Sequence, residues 1–276
     1  MDGITLLIGG NGLIGRRLRL LLEEAGKDVL ILEGVLQEDK NIIPPGTTEV
    51  IFLAQTSNTN VPYMTENLLF VNTILPELVA QEAAKAGVLN FAYFSTGSVY
   101  TASMTSHKEE EDSLQTGLPH YATTKSAAEI LLNKWGKSFK RFVIFRPFFT
   151  YGPDQNPDRL IPSMFRRVMN RENIYLKNGK GLILNPIHVN DAARFICCAL
   201  RFKKGIDIYN IAGSEIISLL EIVNKISFLV GREPCLVEQT GKEDVIVGNI
   251  CKMMSVGFKH KVSLNEGLKD VLRRLL

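Results

Sequence analysis

The sequence predicts an α/β protein whose core is a doubly wound parallel sheet. Ile4–Ile8 is a short apolar run of the kind found in buried strands, and it leads directly into a glycine-rich turn. Leucines then recur at helical spacing from Leu13 to Ala25, and Gly26 ends the helix. Asp28–Glu33 is the next predicted strand. Strand, turn, helix and strand in this order are typical of parallel sheets whose helices cross between strands.

The turn after the first strand carries three glycines, Gly9, Gly12 and Gly15. The first two permit a backbone geometry and a close approach that a side chain would block, and Gly15 lets the helix pack tightly against its strand. The backbone N–H groups at the start of the helix, including those of Leu13 and Ile14, suit a pyrophosphate. The turn therefore predicts a dinucleotide site.

Glu33 ends the second predicted strand, 18 residues after Gly15. An acid about 20 residues beyond the turn binds the ribose 2′-hydroxyl and repels a 2′-phosphate, which favours NAD. The alternative is a solvated acid at a strand end. Arg16 or Arg17 could instead meet a 2′-phosphate, so NADP stays open, although both fit equally well as ordinary exposed helix residues.

A second group of reactive residues follows about a hundred residues later. Leu89–Phe94 is a predicted strand that places Thr96 at its carboxyl end, where open α/β sheets bind ligands. Tyr121 and Lys125 lie four residues apart on a predicted helix, Tyr121–Trp135, and so share one face. A lysine ammonium lowers the pKa of a neighbouring phenol and makes it a usable acid or base. We predict that Thr96 bonds to the reacting substrate oxygen. The alternative is a surface Tyr and Lys with Thr96 capping a loop.

The charge balance and the cysteine content argue against nucleic acid, an anionic membrane or a metal ion as the main partner. The chain has 32 basic and 29 acidic residues, a net charge of +3, which is too balanced to indicate nucleic acid or an anionic membrane as the main partner. The four cysteines lack the spacing of zinc ligands, so we expect reduced thiols and no metal site. The cysteines are Cys197, Cys198, Cys235 and Cys251.

Met1 leads almost directly into the first predicted strand, which leaves no room for a signal peptide. No apolar run approaches the roughly 20 residues of a membrane helix. We therefore expect a cytoplasmic protein.

The glycine turn and the Tyr121–Lys125 pair, in this order, resemble those of the extended short-chain dehydrogenase/reductases, the group of nucleotide-sugar epimerases, dehydratases and ketoreductases. The resemblance implies a Rossmann-type sheet with a small C-terminal α/β substrate lobe, and NAD or NADP as cofactor. It implies that Ala54 and Asn72 lie beside the cofactor, together with Tyr121 and Lys125, and that Thr96, Tyr121 and Lys125 are catalytic. Further matching segments run to about Leu268: Phe52–Gln55, Arg146–Pro153, Ile187–Asp191 and Tyr209–Gly213.

The resemblance also implies how the chain divides. We expect a cofactor-binding domain over residues 1–152, to which about 183–204 return, and a small substrate lobe built from 153–182 and 205–276. In this family the helices that correspond to Met64–Ala86 and Tyr121–Trp135 pair in a homodimer, so we expect one here. Pro76 should kink or interrupt the first of them.

Departures from the family pattern narrow the chemistry. Family dehydratases place Asp-Glu directly after the catalytic threonine, whereas this chain has Gly97 and Ser98, so elimination of water is not expected. Phe149 replaces an asparagine after Arg-Pro, and Leu184 replaces an arginine that binds the substrate diphosphate. How this chain would bind a diphosphate is therefore left open. A nucleotide sugar remains the expected substrate.

Three functions remain open. The first is a nucleotide-sugar 4-epimerase that works through a transient ketone and uses NAD without net turnover. The second is a 4-ketoreductase of a deoxysugar nucleotide. The stretch from Gly34 to Thr48 is shorter than in the family, which normally has a further helix and strand there that help to hold the adenine. A cofactor held less firmly exchanges more readily, which favours a reductase. The third is a non-catalytic cofactor-binding protein of the same fold. The charge run Lys108–Asp112 is expected to be solvated.

Overall fold

The computed structural model describes residues 3–276 except 33, 35–41, 57–62, 102–104, 112–116, 203 and 243. The chain divides into two compact units: the first is Met1–Thr101, Glu110–Pro147 and Ala193–Tyr209, and the second is Ala102–Glu109, Phe148–Ala192 and Asn210–Leu276. Residues 148–152 and 183–192 group with the second unit, whereas the expected boundaries assigned them to the first. The assignment of cofactor and substrate roles to the two parts stays a prediction.

Both units mix strands and helices. In chain order the elements are β1 (Ile4–Ile8), α1 (Leu13–Glu24), β2 (Val29–Leu32), β3 (Thr47–Phe52), α2 (Glu66–Leu69), α3 (Leu75–Lys85), β4 (Asn90–Phe94), α4 (His120–Asn133), β5 (Arg141–Pro147), β6 (Thr150–Tyr151), α5 (Leu160–Asn170), β7 (Asn173–Lys177), β8 (Ile183–Leu184), β9 (Ile187–His188), α6 (Val189–Leu200), β10 (Gly205–Ile211), β11 (Ile217–Ser218), α7 (Leu219–Val230), β12 (Cys235–Gln239), β13 (Val245–Ile246), α8 (Cys251–Ser255) and α9 (Leu264–Leu275).

The first unit is built on a sheet with the strand order β10-β5-β4-β3-β1-β2. The pairs from β2 through β1, β3 and β4 to β5 are parallel. The chain runs outward from β1 to β2 and then crosses to β3 on the other side of β1. This reversal opens a crevice at the carboxyl ends of β1 and β3, the place where doubly wound sheets bind ligands. The predicted fold class is confirmed.

Helices cover both faces of this sheet because side chains alternate along each strand. On one face, Phe142 and Ile144 of β5 belong to a buried apolar cluster that includes Val79 of α3 and Leu132 of α4. On the other face, the Phe145 ring meets that of Phe195 of α6 edge-on at 6.3 Å. Strands buried on both faces are apolar throughout, which explains the runs seen in the sequence.

The helix predicted over residues 64–86 is interrupted. A π-helical turn, Phe70–Ile74, separates α2 from α3. Pro76 lies just beyond it, and proline has no N–H to donate to the Asn72 carbonyl four residues earlier. That carbonyl accepts the hydroxyl of Tyr93 of β4 at 3.2 Å. The irregularity thus lies just before Pro76, which is in the first turn of α3, and the Asn72 carbonyl has a partner in the sheet.

The second unit has an apolar core of its own, between α5, α7 and α9 and the short strands beside them. Ser218 begins α7 and Ser263 begins α9, each with a capping box in which a glutamate three residues later bonds back to the serine N–H. Leu184 is fully buried in this core and pairs with Ile217 of β11.

None of the helices in the described part of the chain combines the length and apolar character needed to cross a membrane.

Candidate active site

The glycine turn has the geometry expected of a phosphate cradle. Gly9 has a φ of +85°, which a side chain rarely adopts, and a Cβ there would lie 2.5 Å from the Ala54 nitrogen at the end of β3. A Cβ on Gly15 would lie 2.5 Å from the Gly10 carbonyl oxygen. Gly12 differs, since its Cβ would come no nearer than 3.6 Å to the Gly9 oxygen. Gly9 and Gly15 are thus required by the protein's own packing, and Gly12 leaves space open.

The N-cap residue of α1 is Gly12, which has no side chain with which to cap the helix. The first-turn N–H groups, those of Leu13 and Ile14 among them, have no partner inside the helix and are suited to an anion. Gly12 is extended, with φ −67° and ψ 170°, which any residue can adopt. Its lack of a side chain is therefore explained by the space it leaves rather than by its backbone.

A cavity of about 290 Å³ lies against this turn, at the crevice between β1 and β3. Ala54 belongs to its lining, and its predicted contact with the cofactor stays a prediction. Glu33 lies outside the described residues, although its two neighbours in sequence line the cavity. The lining comprises Ile8 to Gly12, Leu32, Gly34, Ala54, Phe70, Val71 and Leu75.

Thr96 lies just beyond β4, at the start of a single 3₁₀ turn, Gly97–Val99. Its hydroxyl accepts the Ser98 N–H at 3.1 Å and donates to the Ser98 hydroxyl at 3.2 Å. The side chain is buried except for a small exposed part. Thr96 therefore holds a polar hydroxyl at the carboxyl end of the sheet, where the sequence predicts it.

Lys125 is fully buried on α4. Its Nζ donates to the Phe94 carbonyl oxygen at 2.6 Å and lies 4.7 Å from the centre of the Tyr93 ring. Burial lowers the pKa of Lys125 to about 7, and the charge of Glu129 partly opposes this. The lysine is thus fixed at the end of β4, two residues before Thr96.

Tyr121 lies in the first turn of α4 and is partly exposed. Its phenol donates to the Gln55 side-chain oxygen at 2.6 Å. Gln55 follows Ala54 at the exit of β3, so this bond joins the helix to the rim of the crevice. In the sequence, Gln55 was identified only as part of the matching segment Phe52–Gln55. Its contact with Tyr121 joins residues 66 positions apart, so no local sequence pattern indicates it.

Asn72 is fully buried in the π-helical turn. Its Oδ1 accepts the Thr56 N–H at 3.1 Å, and its Nδ2 donates to the Thr124 hydroxyl at 3.2 Å. Both ends of the amide thus join two parts of the protein, the exit of β3 and helix α4. This geometry makes Asn72 a positioning residue, and its predicted contact with the cofactor stays a prediction.

An ion pair that the sequence did not single out lies one helical turn beyond Lys125. Glu129 accepts two hydrogen bonds from Arg146 of β5, at 3.1 and 2.6 Å, and Arg146 also donates to the Tyr100 hydroxyl at 2.5 Å. Burial alone would lower the pKa of Arg146, but Glu129 outweighs it and raises that pKa. Glu129 is four residues from Lys125, so the helix face shared with Tyr121 and Lys125 was the available signal.

The two substituted family positions both lie in the second unit. Leu184 is part of the apolar core, and Phe149 packs against the same core with a φ of +41°, a left-handed value that is strained for a bulky residue. The side chains of Phe149 and Leu184 have no polar atom that could bind a diphosphate.

The expected solvation of the charge run Lys108–Asp112 is wrong for one residue. Glu109 is buried and accepts the Asn210 backbone N–H at 2.9 Å, within the second unit. Asn210 also donates to the His107 carbonyl at 2.9 Å. A partner 101 residues away in the chain satisfies this carboxylate, and a local charge pattern contains no information about it.

Comparison with known proteins identifies the family and the fold of this chain. The model of the NAD dependent epimerase/dehydratase family matches residues 5–212. The dTDP-D-glucose 4,6-dehydratase of Bos taurus is 26% identical over 215 residues, which cover 74% of this chain and 60% of the relative. The chain thus spans about 60% of the length of such curated relatives.

Solved structures of similar fold cover almost the whole chain. MoeE5 in complex with UDP-glucuronic acid and NAD is 25% identical, with a TM-score of 0.83 and coverage of 99% of this chain and 100% of that one. The UDP-glucuronic acid 4-epimerase of Bacillus cereus, in complex with UDP-glucuronic acid and NAD, is 20% identical, with a TM-score of 0.87 and coverage of 99% and 98%; at this identity the likeness concerns the fold alone.

The family model covers well over half of the chain, and the predicted resemblance and NAD-type cofactor agree with its description. The chain belongs to the NAD dependent epimerase/dehydratase family.

Proposed function

We propose that this protein is an NAD-dependent nucleotide-sugar 4-epimerase, with NADP as the alternative cofactor. The observation that carries the proposal is the arrangement at the end of β4. The Thr96 hydroxyl is held there by Ser98, and the Lys125 ammonium is held by the Phe94 carbonyl. Oxidation and reduction of a sugar hydroxyl need a hydrogen-bonding hydroxyl and a phenol that acts as acid and base, and Thr96 and Tyr121 would supply them.

The residues at the crevice fit a dinucleotide. The open space at Gly12, the uncapped N–H groups of Leu13 and Ile14, and the cavity beside Ala54 together form a cradle for a pyrophosphate and its nucleosides. The chemistry that NAD supplies when bound is reversible hydride transfer at a sugar carbon. Lys125 would be the residue that binds the nicotinamide ribose, as the family resemblance implies.

The protein's own groups would move the proton. Tyr121, as phenolate, takes the proton of the sugar 4-hydroxyl while the carbon is oxidised to the ketone. Thr96 donates a hydrogen bond to the same oxygen and stabilises its developing charge. After the ketone turns its other face, Tyr121 returns the proton to the oxygen, and the 4-epimer is formed without net consumption of cofactor.

Elimination of water is disfavoured despite the dehydratase names among the relatives. A dehydratase needs an additional acid and base next to the threonine, and this chain has Gly97 and Ser98 there. Ser98 is also engaged with Thr96 through both its N–H and its hydroxyl. The residues therefore support chemistry at one carbon.

A 4-ketoreductase is the second candidate, and one observation favours it. β2 is the edge strand of the sheet in the described part of the chain, so the described sheet offers no further strand beside the adenine end of the crevice. A less enclosed cofactor exchanges more readily, as a reductase requires. The two candidates use the same Thr96, Tyr121 and Lys125.

The decisive experiment has two stages. Nucleotide is first released from the purified protein by denaturation and identified by mass and absorbance. The protein is then incubated with UDP-glucose, UDP-glucuronic acid and 4-keto-6-deoxy sugar nucleotides, and products are separated by chromatography. Stoichiometric NAD and a 4-epimer without net NADH support the epimerase.

An empty protein that oxidises added NADPH or NADH with a keto sugar identifies the reductase instead. Tyr121→Phe is the matched control, since it should lose most turnover and still bind cofactor. A Tyr121→Phe variant with parental turnover contradicts both candidates. Binding of neither cofactor would return the protein to the non-catalytic alternative.

We further propose a homodimer and retain a cytoplasmic location as a prediction. Large apolar side chains are exposed along the helices on one side of the first unit, and unpaired apolar surface of this kind is typical of a protein interface. They are Leu69, Ile74 and Leu78 before and within α3, and Ile130 on α4.

A further inference from the structure

We propose that Gln55 is a positioning residue of this site, whose side-chain amide holds the Tyr121 phenol and pairs with both its protonated and its ionised form. The inference deepens the proposed function and rests on Tyr121 being the acid/base of the reaction. Gln55 lies at the rim of the crevice, and its neighbour Ala54 lines the cavity.

The contact itself is short and direct. The Tyr121 hydroxyl lies 2.6 Å from Gln55 Oε1, at the short end of the range for hydroxyl hydrogen bonds. Both side chains reach solvent at this point, so the bond is not imposed by burial in a core. The two backbone segments that carry these side chains set the distance between them.

That placement has an identifiable origin in Asn72. Its Oδ1 accepts the N–H of Thr56, the residue after Gln55, and its Nδ2 donates to the hydroxyl of Thr124, which bonds back to the Tyr121 carbonyl at 2.8 Å. One buried amide therefore fixes the two backbones that carry the Gln55–Tyr121 pair. The Thr73 hydroxyl adds a bond to the Thr124 carbonyl at 2.8 Å.

A carboxamide is suited to this position because it both accepts and donates. With Oε1 toward the phenol, Gln55 accepts the phenol proton and favours the protonated form. After a half-turn of the amide, Nε2 donates to the phenolate and favours the ionised form. When the phenol proton passes to or from the sugar oxygen, the amide stays neutral and no other proton need move.

The charged groups that follow Tyr121 come from α4 itself and from β5. Lys125 and Glu129 lie four and eight residues after Tyr121 on the same helix, and Arg146 of β5 pairs with Glu129. Tyr93 of β4 is fully buried, and burial, with the charges of Glu129 and Tyr121, raises its pKa well above the ordinary value. Tyr93 thus stays neutral in the working range, and Gln55 is the polar contact from the β3 side.

The matched variants are Gln55→Glu and Gln55→Leu in the full-length protein. Glutamate keeps the shape and can accept the phenol proton, but it cannot donate to the phenolate and adds a negative charge. We expect the pKa that governs kcat/KM to rise by about one unit or more, with activity recovering at high pH. Leucine removes both pairings, and we expect kcat to fall about tenfold with a smaller pKa change.

Two readouts separate this role from a structural one. Cofactor affinity should stay within about twofold of the parent in both variants, because the lining residues are unchanged. A merely structural contribution would lower kcat equally at every pH. A Gln55→Glu profile that superimposes on the parental profile, or a Gln55→Leu variant with parental kcat, overturns the proposal.

The phenol can also be titrated without any substrate. In protein labelled with ¹³Cζ-tyrosine, the Tyr121 resonance is the one missing from Tyr121→Phe, and its titration in the cofactor-bound protein should move upward in Gln55→Glu. An unmoved titration overturns the role of Gln55 even if the enzyme is active. If Tyr121→Phe keeps full turnover, the proposed function fails, while this titration still decides whether Gln55 pairs with the phenol.

Discussion

The Arg146 guanidinium forms a two-point ion pair with the Glu129 carboxylate, and both side chains are buried in the first unit. A third bond, to the Tyr100 hydroxyl, connects the pair to the segment that follows Thr96. Three parts of the first unit therefore meet at one guanidinium: β5, helix α4 and the end of the 3₁₀ turn. Arginine suits this position because its planar guanidinium can donate to both carboxylate oxygens of Glu129 and to the Tyr100 hydroxyl at once.

Removal of that guanidinium should be costly. Arg146→Met removes the two hydrogen bonds and the ion pair that satisfy the buried Glu129 carboxylate, and breaking a buried pair in this way costs about 3–5 kcal/mol. We expect the free energy of unfolding, measured with urea, to fall by that amount. The control is Arg146→Met combined with Glu129→Leu, which removes both charges and should recover much of the loss. Equal losses in the single and double variants would contradict the pairing.

Gly15 and Gly12 have different roles in the glycine turn, so replacing each with alanine should have different effects on stability and on cofactor binding. Gly15→Ala would place a Cβ 2.5 Å from the Gly10 oxygen, so the start of α1 must shift, and we expect a loss of about 1–3 kcal/mol in unfolding free energy. Gly12→Ala meets no close described atom, and its backbone angles suit alanine. It should leave stability nearly unchanged and weaken cofactor binding at least about tenfold.

Calorimetric titration with NAD and urea unfolding of both variants test this pair of predictions. A destabilised Gly12→Ala protein, or one with parental affinity for NAD and NADP, would show that the open space at Gly12 does not serve a cofactor.

The parts of the fold that the sequence predicted well depend on neighbouring residues. β1 begins and ends as predicted, at Ile4 and Ile8, and α1 follows the glycine turn, where Gly15 packs against Gly10 five residues earlier. The break near Pro76 was predicted too, since a missing N–H is a local property. Its form, a π-helical turn that presents Asn72 to Thr56 and Thr124, depends on tertiary partners.

The contacts that the sequence did not reveal join residues that are far apart in the chain. Gln55 acquires its role only when Tyr121, 66 residues later, is brought to the exit of β3. Glu109 is buried because Asn210 meets it from the other end of the chain. Residue types and spacings identify groups able to react, whereas the partner that holds each group in place is a property of packing.

Lys125 gives the stability of the protein a specific dependence on pH. Its pKa in the folded protein is about 7, lower than the 10.5 of an ordinary lysine, because burial disfavours the charged form. Below about pH 7 both folded and unfolded chains carry the charge, and the cost of burying it is fully present. As pH rises above 7 the folded chain releases the proton first, so the unfolded chain binds more protons and the cost is progressively relieved.

Lys125→Met removes this dependence. The unfolding free energy of the parent minus that of Lys125→Met should be constant at low pH and rise by about 2–3 kcal/mol between about pH 6 and 9. Urea unfolding across this range measures it in the absence of cofactor. A difference that is flat with pH would mean that the buried lysine keeps an ordinary pKa.

The exposed apolar side chains of α3 and α4 predict where two copies of the chain meet. Leu78 and Ile130 are 40% and 46% exposed, and Lys134 of α4 pairs with Glu77 of α3, which ties the two helices into one surface. A charge placed at the centre of an apolar interface must be desolvated on association. We therefore expect the double variant Leu78→Asp, Ile130→Asp to weaken dimerisation at least about thirtyfold in sedimentation equilibrium.

Phe228→Asp is the matched control, since Phe228 is 87% exposed on α7 of the second unit and lies outside this surface. A parent protein that is monomeric at every concentration, or a dimer that Phe228→Asp disrupts and the double variant does not, would contradict this interface.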